Sequence, residues 1–479
     1  MTQPPEGPAP APTRPLASDP LLIAVCVAIV TLPLEVTGFL FPTTVVNLSR
    51  IAMLAAMVVV AYRVVVRRER VVIPALPLVL GTAAFLAVDL GSAILTRRPN
   101  ALREVGPTIF YIAFAFCVAQ ALTDRRRVAI AGASLLAAAG VEALIIVASQ
   151  VFGFYLSQVR DMGGRRNGTF VDPNIAARFL VIGLAVALTA IRREVGLRAW
   201  LGASLGALIA VALVLTYSRS GWILFVIVIL AAVALAVRER RVWAVALVAS
   251  AAFALSLVVV PNALHRATDV PVQVPDAGAT SVPAGRLVSF STALPAPAVP
   301  PAPAAAPPST PLDWMLDHAP IDAARRYLAR AAVAMFVDHP LVGVGLGGYQ
   351  PEILGPYAAY IDPNYRSAPI ALAHTDVLRV AAEEGIVGLV ALACFLVGVA
   401  WAVKAGRART GTFERAAVNA VALGILTVFI AAQTEGRFYN DPYLWMAVGV
   451  VVALGYHRVV SRTPPSQDVV RSDPTSSPG

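Results

Sequence analysis

Long apolar runs separated by short polar breaks dominate the chain. They fall at roughly 21–41, 46–66, 72–95, 106–122, 127–150, 173–191, 198–217, 219–237, 242–260, 385–403, 415–433 and 441–459. Most match the roughly 17 to 25 residues a helix needs to cross a hydrocarbon core. The pattern predicts an all-α integral membrane protein with about twelve transmembrane helices. The tight break near Ser218 predicts a helical hairpin from the seventh and eighth spans. The organisation expected is a tail over 1–20, about nine spans over 21–260, a large loop over 261–384, about three spans over 385–459 and a tail over 460–479.

The large loop changes character along its length. Between Pro271 and Pro311 there are 11 prolines among alanines and few charges, a composition of extended linkers rather than packed cores. From Leu312 to Glu384 the pattern predicts helix. DAARRYLARAAVAMFVDHP places Leu328, Ala332, Met335 and Phe336 on one helical side and Arg326 and Arg330 on another, with Pro340 ending the run. The glycines of GVGLGGY allow a tight turn. They lack the preceding strand and the lysine of a phosphate-binding loop, so no nucleotide site is expected.

Composition agrees with a membrane location: 58% of residues are hydrophobic and only 14% charged. The net charge of +10 is carried by 37 arginines and Lys404, most of which need only flank spans, and no nucleic-acid partner is expected. One set of alternate short loops holds 17 basic residues and the opposite set nine. Basic loops stay cytoplasmic, so both termini are expected inside and the 261–384 loop outside. Cys26, Cys117 and Cys394 each fall in an apolar run, which argues against a disulfide or metal framework.

The outward side then collects the unusual polar residues. Arg165, Arg166 and Asp172 stand in GRRNGTFVDPN, Arg178 one turn inside the sixth span, and Arg219 in TYSRSGW. Arg325, Arg326 and Arg330 follow in the loop, and His374 opens AHTDVLRVAAEEGIVG. Glu35, Asp89 and Glu142 fall in the outward halves of spans, where a lone charge costs at least about 2.5 kcal/mol. They require partners, and the outward arginines are the obvious ones.

Several guanidinium groups at a membrane boundary suit an amphiphile with a diphosphate head, because the planar fork matches phosphate oxygens. No acidic pair of the kind that holds a metal on a sugar diphosphate occurs in an outward loop, so no metal or other cofactor is expected. A histidine beside such a cavity can take a proton from a hydroxyl at neutral pH, and His374 is the best placed. Asp376, Arg379 and Glu383 share one helix face and can satisfy one another, leaving Glu384 as a possible orienting partner for His374.

In their order, the motifs GRRNGTFVDPN, TYSRSGW, DHPLVGVGLGGY and AHTDVLRVAAEEGIVG resemble those of the O-antigen ligase and O-antigen polymerase superfamily of bacterial membrane enzymes. The resemblance implies transfer of a glycan from a polyprenyl-diphosphate carrier to an acceptor hydroxyl at the outer face of the bacterial plasma membrane. It implies a glycan or lipid acceptor, and other polysaccharide-assembly proteins as possible partners. It also implies that Arg166 (or its neighbour Arg165), Arg219 and Arg325 contact the diphosphate; Arg178 and Arg326, of the same outward set, are read from the residues as further candidate substrate contacts. His374 matches the residue that activates the acceptor. The chain departs from the family in having Thr375 where Asn often follows the histidine, and in its Pro-rich insertion. The alternative reading is a polytopic secondary transporter of a small or anionic solute, which twelve spans would also suit.

Overall fold

A computed structural model of the chain describes residues 19–34, 47–69, 71–98, 101–156, 164–190, 197–235, 240–260, 323–361, 373, 375–408, 412–436 and 438–462. Among the described residues every long element is a helix. They are α1 (Pro20–Thr31), α2 (Leu48–Val65), α3 (Leu76–Thr96), α4 (Ala101–Ala121), α5 (Arg125–Phe152), α6 (Pro173–Ala190) and α7 (Leu197–Leu215). Next come α8 (Arg219–Leu235), α9 (Arg240–Val259), α10 (Ala323–Asp338), α11 (Tyr349–Leu354), α12 (Asp376–Ala408), α13 (Thr412–Glu435) and α14 (Pro442–Arg462). Helix starts follow local chemistry. Asp19, Asn47 and Asp124 accept backbone N–H groups of α1, α2 and α5, and Pro20, Pro77, Pro173 and Pro442 sit in first turns where no N–H is required.

Among the described residues, seven helices are long and apolar enough to cross a membrane: α2, α3, α4, α5, α9, α12 and α13. Five shorter apolar helices, α1, α6, α7, α8 and α14, pack among them. Together they correspond to the twelve runs expected. The first run, 21–41, appears as the twelve-residue α1, and Glu35 falls outside the described residues, as do the 271–311 linker, residues 1–18 and residues 463–479; Pro20 and residues 460–462, expected in the tails, belong to α1 and α14. The break at Ser218 is a three-residue turn with Tyr217 at φ +48°. Rather than pairing closely with each other, α7 packs mainly on α9, while α8 packs on α6 and α13.

The bundle carries exposed aliphatic side chains along its flanks, such as Leu247 at 71% and Val258 at 83% exposure on α9 and Val397 at 65% on α12. In water such surface would be a liability, whereas in lipid it is the expected exterior. One end of the bundle is held by plain ion pairs: Asp19 binds Arg63 at 2.5 Å and Arg127 at 2.6 Å, and Arg125 pairs with Glu414. The other end carries α10 and α11, which pack on the first turns of α12 around Ala331, Ala332, Met335, Tyr349, Ile353 and Ala382.

That end also contains the main irregularity of the backbone. Helix α12 is broken at Gly385, which takes φ +65°, ψ −152°, a conformation that side-chain-bearing residues avoid. A break frees two carbonyls and two N–H groups, and the DHPLVGVGLGGY loop takes up all four. Val344 N–H and Gly345 N–H donate to the Ala382 and Glu383 carbonyls at 2.8 Å each. In return, the Pro340 and Leu341 carbonyls accept from Ile386 N–H at 2.8 Å and Val387 N–H at 3.2 Å. The glycines of this loop therefore complete a helix rather than bind a ligand.

Candidate functional site

The Arg165–Arg166 loop is built before any ligand arrives. Glu142, 2% exposed on α5, accepts the Thr169 N–H at 2.9 Å and the Thr169 hydroxyl at 2.7 Å. A methyl on Gly168 would overlap the Glu142 carboxylate, so the glycine sets how closely the loop approaches. Asn167 Nδ2 donates to the Phe170 carbonyl at 2.6 Å, and Asp172 accepts the Asn174 N–H at 2.7 Å to start α6. The backbone amide and the hydroxyl of Thr169 thus both engage this buried carboxylate.

The loop is tied to the α7–α8 turn and to α6. Arg166 N–H donates to the Leu215 carbonyl at 3.0 Å, and Arg165 Nε donates to the Thr216 carbonyl at 2.9 Å while its Nη2 meets Asn174 Oδ1 at 2.6 Å. Arg166 Nε donates to Gln150 Oε1 at 2.8 Å, and its guanidinium lies 4.3 Å from the Tyr155 ring centroid. Its Nη1 is buried and has no hydrogen-bond acceptor among the described residues. Arg219, three residues beyond Thr216, is the exposed first residue of α8.

From α6 a chain of polar contacts leads to α12. Arg178, one turn beyond Asn174 and 3% exposed, pairs with the buried Asp441 at 2.9 Å. Asp441 starts α14 by accepting the Tyr443 N–H at 2.7 Å. Three residues earlier, Phe438 N–H donates to Asp376, and Thr375 Oγ1 donates to the Gln433 carbonyl at 3.1 Å. His374 lies outside the described residues, but the residues beside it are anchored: Thr375 as stated, and Ala373 buried against α10 and α11.

The rest of the first half of α12 is an acid–base network. Arg379 Nε donates to Glu383 at 3.1 Å and its Nη2 meets Glu104 of α4 at 2.8 Å. The other Glu383 oxygen accepts the Tyr349 N–H at 3.0 Å, fixing the start of α11. Glu384, 2% exposed, lies near Asp89 of α3 with neither carboxylate oxygen hydrogen-bonded among the described residues, and Arg379 is within electrostatic reach of both acids. Asp89 therefore meets another acid at the helix break rather than an outward arginine directly. In α10, Arg325, Arg326 and Arg330 are half-buried, and the helix packs on α12. Tyr357 donates to Asp338 at 2.8 Å. Burial first, then that hydrogen bond, push its phenol up, so it remains a donor at neutral pH.

Sequence reasoning missed Asp441, Gln150, Gln433 and Asp89's partner. For Asp441 a signal existed, since Asp before Pro442 at the head of an apolar run is a helix start. The glutamines carried none.

Residues 204–393 match the family model described as O-antigen ligase. That match supports the O-antigen ligase and polymerase superfamily. The O-antigen ligase match runs from α7 into the apolar half of α12, so it contains Arg219, Arg325, Arg326, His374 and Glu384. Arg165, Arg166 and Arg178 precede it, but two of them are bonded to it or beside it through Leu215 and Thr216. No curated protein matches the chain. The apolar helices and the O-antigen ligase match fit a membrane protein and do not favour the transporter reading.

Proposed function

We propose that this protein transfers a glycan from a polyprenyl-diphosphate carrier to an acceptor hydroxyl at the outer face of the bacterial plasma membrane, with both termini inside. The observation that supports it best is the polar chain that runs from the Arg165–Arg166 loop through Asn174, Arg178, Asp441 and Phe438 to Asp376 and Thr375. It ties a cationic loop to the neighbours of the only histidine with a catalytic assignment.

In this reading the Arg166 guanidinium, with Nη1 free of protein acceptors, binds the diphosphate together with Arg219, Arg325 and Arg326. His374 takes the proton as the acceptor oxygen attacks the anomeric carbon from the face opposite the leaving group. The anomeric carbon–oxygen bond breaks, and the polyprenyl diphosphate departs with its charge held by the arginines, which replace a metal in that role. Configuration inverts. Arg165 and Arg178 position the loop and α6, because each is already spent on protein acceptors. Glu384 acts at one remove, at the end of the half-helix that begins at Asp376 and packs against α3.

The purified protein in liposomes, supplied with polyprenyl-diphosphate-linked glycan and acceptor, is expected to transfer glycan in the presence of a chelator. His374→Ala is expected to abolish transfer while leaving thermal unfolding unchanged, and full transfer by that variant would exclude the assigned base. In cells lacking the protein, accumulated single repeats mark a polymerase, and free long polymer without its anchor marks a ligase.

A further inference from the structure

The loop that completes the break in α12 presents its apolar side chains outward. Val337, Leu341 and Val342 are 66%, 67% and 63% exposed, although they lie beside a well-packed cluster that has taken in Met335, Leu346 and Tyr349. An exposed aliphatic group alone says little. Their level in the molecule says more, because the Leu341 carbonyl accepts the Val387 N–H and the Pro340 carbonyl the Ile386 N–H. Ile386 and Val387 open the apolar half of α12, are each 45% exposed, and continue into the outward-facing Val390 and Val397. On the other flank, Leu346 N–H donates to Ser92 in the last turns of α3, where Leu95 is 82% exposed. The loop therefore bridges two lipid-facing helices and extends their apolar exterior without a gap.

Irregular backbone survives at hydrocarbon depth only when its polar groups are satisfied within the protein. Here the carbonyls of His339, Pro340 and Leu341 each accept a backbone N–H, from Gly343, Ile386 and Val387. The His339 and Val344 N–H groups donate to Met335 and Ala382, and Pro340 has no N–H to satisfy. Continuity with the lipid-facing belt and the pairing of these particular backbone groups are separate observations, and both point to the same occupant.

We infer that the Val337–Val342 segment is a membrane-seated wedge, its occupant being the acyl chains of the leaflet next to α10 and α11. It would fix the depth at which α10 and the first half of α12 sit, and so hold the arginines of α10 at headgroup level. The wedge is a property of the fold and stands apart from the glycan-transfer reading.

The test uses the full chain with Cys26, Cys117 and Cys394 replaced, reconstituted in phosphatidylethanolamine–phosphatidylglycerol bilayers. Nitroxide labels are placed through Leu341→Cys and, separately, Val342→Cys. Val397→Cys on the flank of α12 and Arg126→Cys at the opposite end serve as lipid and water references. Collisions with oxygen, which partitions into lipid, and with a water-soluble nickel chelate are then measured. The expected result is an oxygen-to-nickel ratio several-fold above that at position 126 and close to that at 397 for both labels. Nickel access equal to that at 126 would overturn the wedge by placing the segment in water. Low access to both probes would also overturn it, by showing a cover of protein, whether another part of this chain or a second copy. Reading two adjacent positions, each checked for an unchanged unfolding midpoint, keeps one misfolded variant from deciding the outcome.

Discussion

The two ends of the bundle solve the same problem differently. At the end that gathers Asp19, Arg63, Arg127, Arg125 and Glu414, charges lie at helix termini and meet an opposite charge across a short gap. At the other end, Glu142 is held by an amide and a hydroxyl, Glu384 faces Asp89, a helix is broken and mended by a loop, and Arg166 keeps one buried edge without an acceptor. The first arrangement only closes the structure. The second gives up backbone regularity at Gly385 and holds its buried acids through backbone amides, a hydroxyl and a neighbouring helix rather than through ion pairs at helix termini alone.

The comparison can be tested most severely at Arg178. Removing one partner of a buried ion pair strands the other, at a cost of about 3–5 kcal/mol. Arg178→Leu should therefore produce a large loss of stability in detergent, followed by tryptophan fluorescence, whereas Arg178→Leu with Asp441→Leu should recover much of it. A fall in activity with full stability would instead place Arg178 among the substrate contacts. Next in size, Arg166→Ala should lower transfer by about 10²-fold, the effect of deleting one charge-stabilising donor, with the unfolding midpoint retained. Arg166→Lys should recover little of it, since an ammonium cannot reproduce the fork that also engages Gln150.

Gly385→Ala sharpens the contrast in backbone. A side chain forced into that conformation costs about 1–3 kcal/mol, and it would also meet the Pro340 and Leu341 backbone. Thermal melts should show the loss, and hydrogen exchange should locate it at residues 340–345 and 382–387. The smallest effect is expected at the plain end. Burial pushes the Asp19 carboxyl up, but the hydrogen bond from Arg127 and the charges of Arg63 and Arg127 outweigh it and hold the carboxyl below its usual 3.8. That stability is present above the unfolded value and lost as pH falls through the lower folded one. Melts recorded as pH drops below about 4 should show a decline that Asp19→Asn lacks.

The helical bundle was legible because hydropathy reports burial in lipid directly, and eleven of its twelve helices begin or end close to an apolar run. What could not be read was partnership across the chain. EEGIVG looks like a helix running smoothly into a span, and only the loop some forty residues earlier explains why it can break at Gly385. Glu142 and Asp89 announced buried charge, but the sequence gives no geometry. A backbone amide and a threonine hydroxyl beside Glu142, and a second carboxyl beside Asp89, were therefore not legible in the sequence. The motif arginines were visible as a set, yet which protein groups each engages appears only once Thr216, Asn174, Gln150 and Asp441 are in place.

The mended break has a further consequence for how the polypeptide can be cut. Because α10 and α11 are registered by backbone bonds to α12 and by Glu383 and Arg98 contacts, their position does not depend on the covalent path that leads to them from α9. Two separately translated fragments, one ending after Val260 and one beginning before Ala323, should therefore find each other in the bilayer and reconstitute the intact assembly.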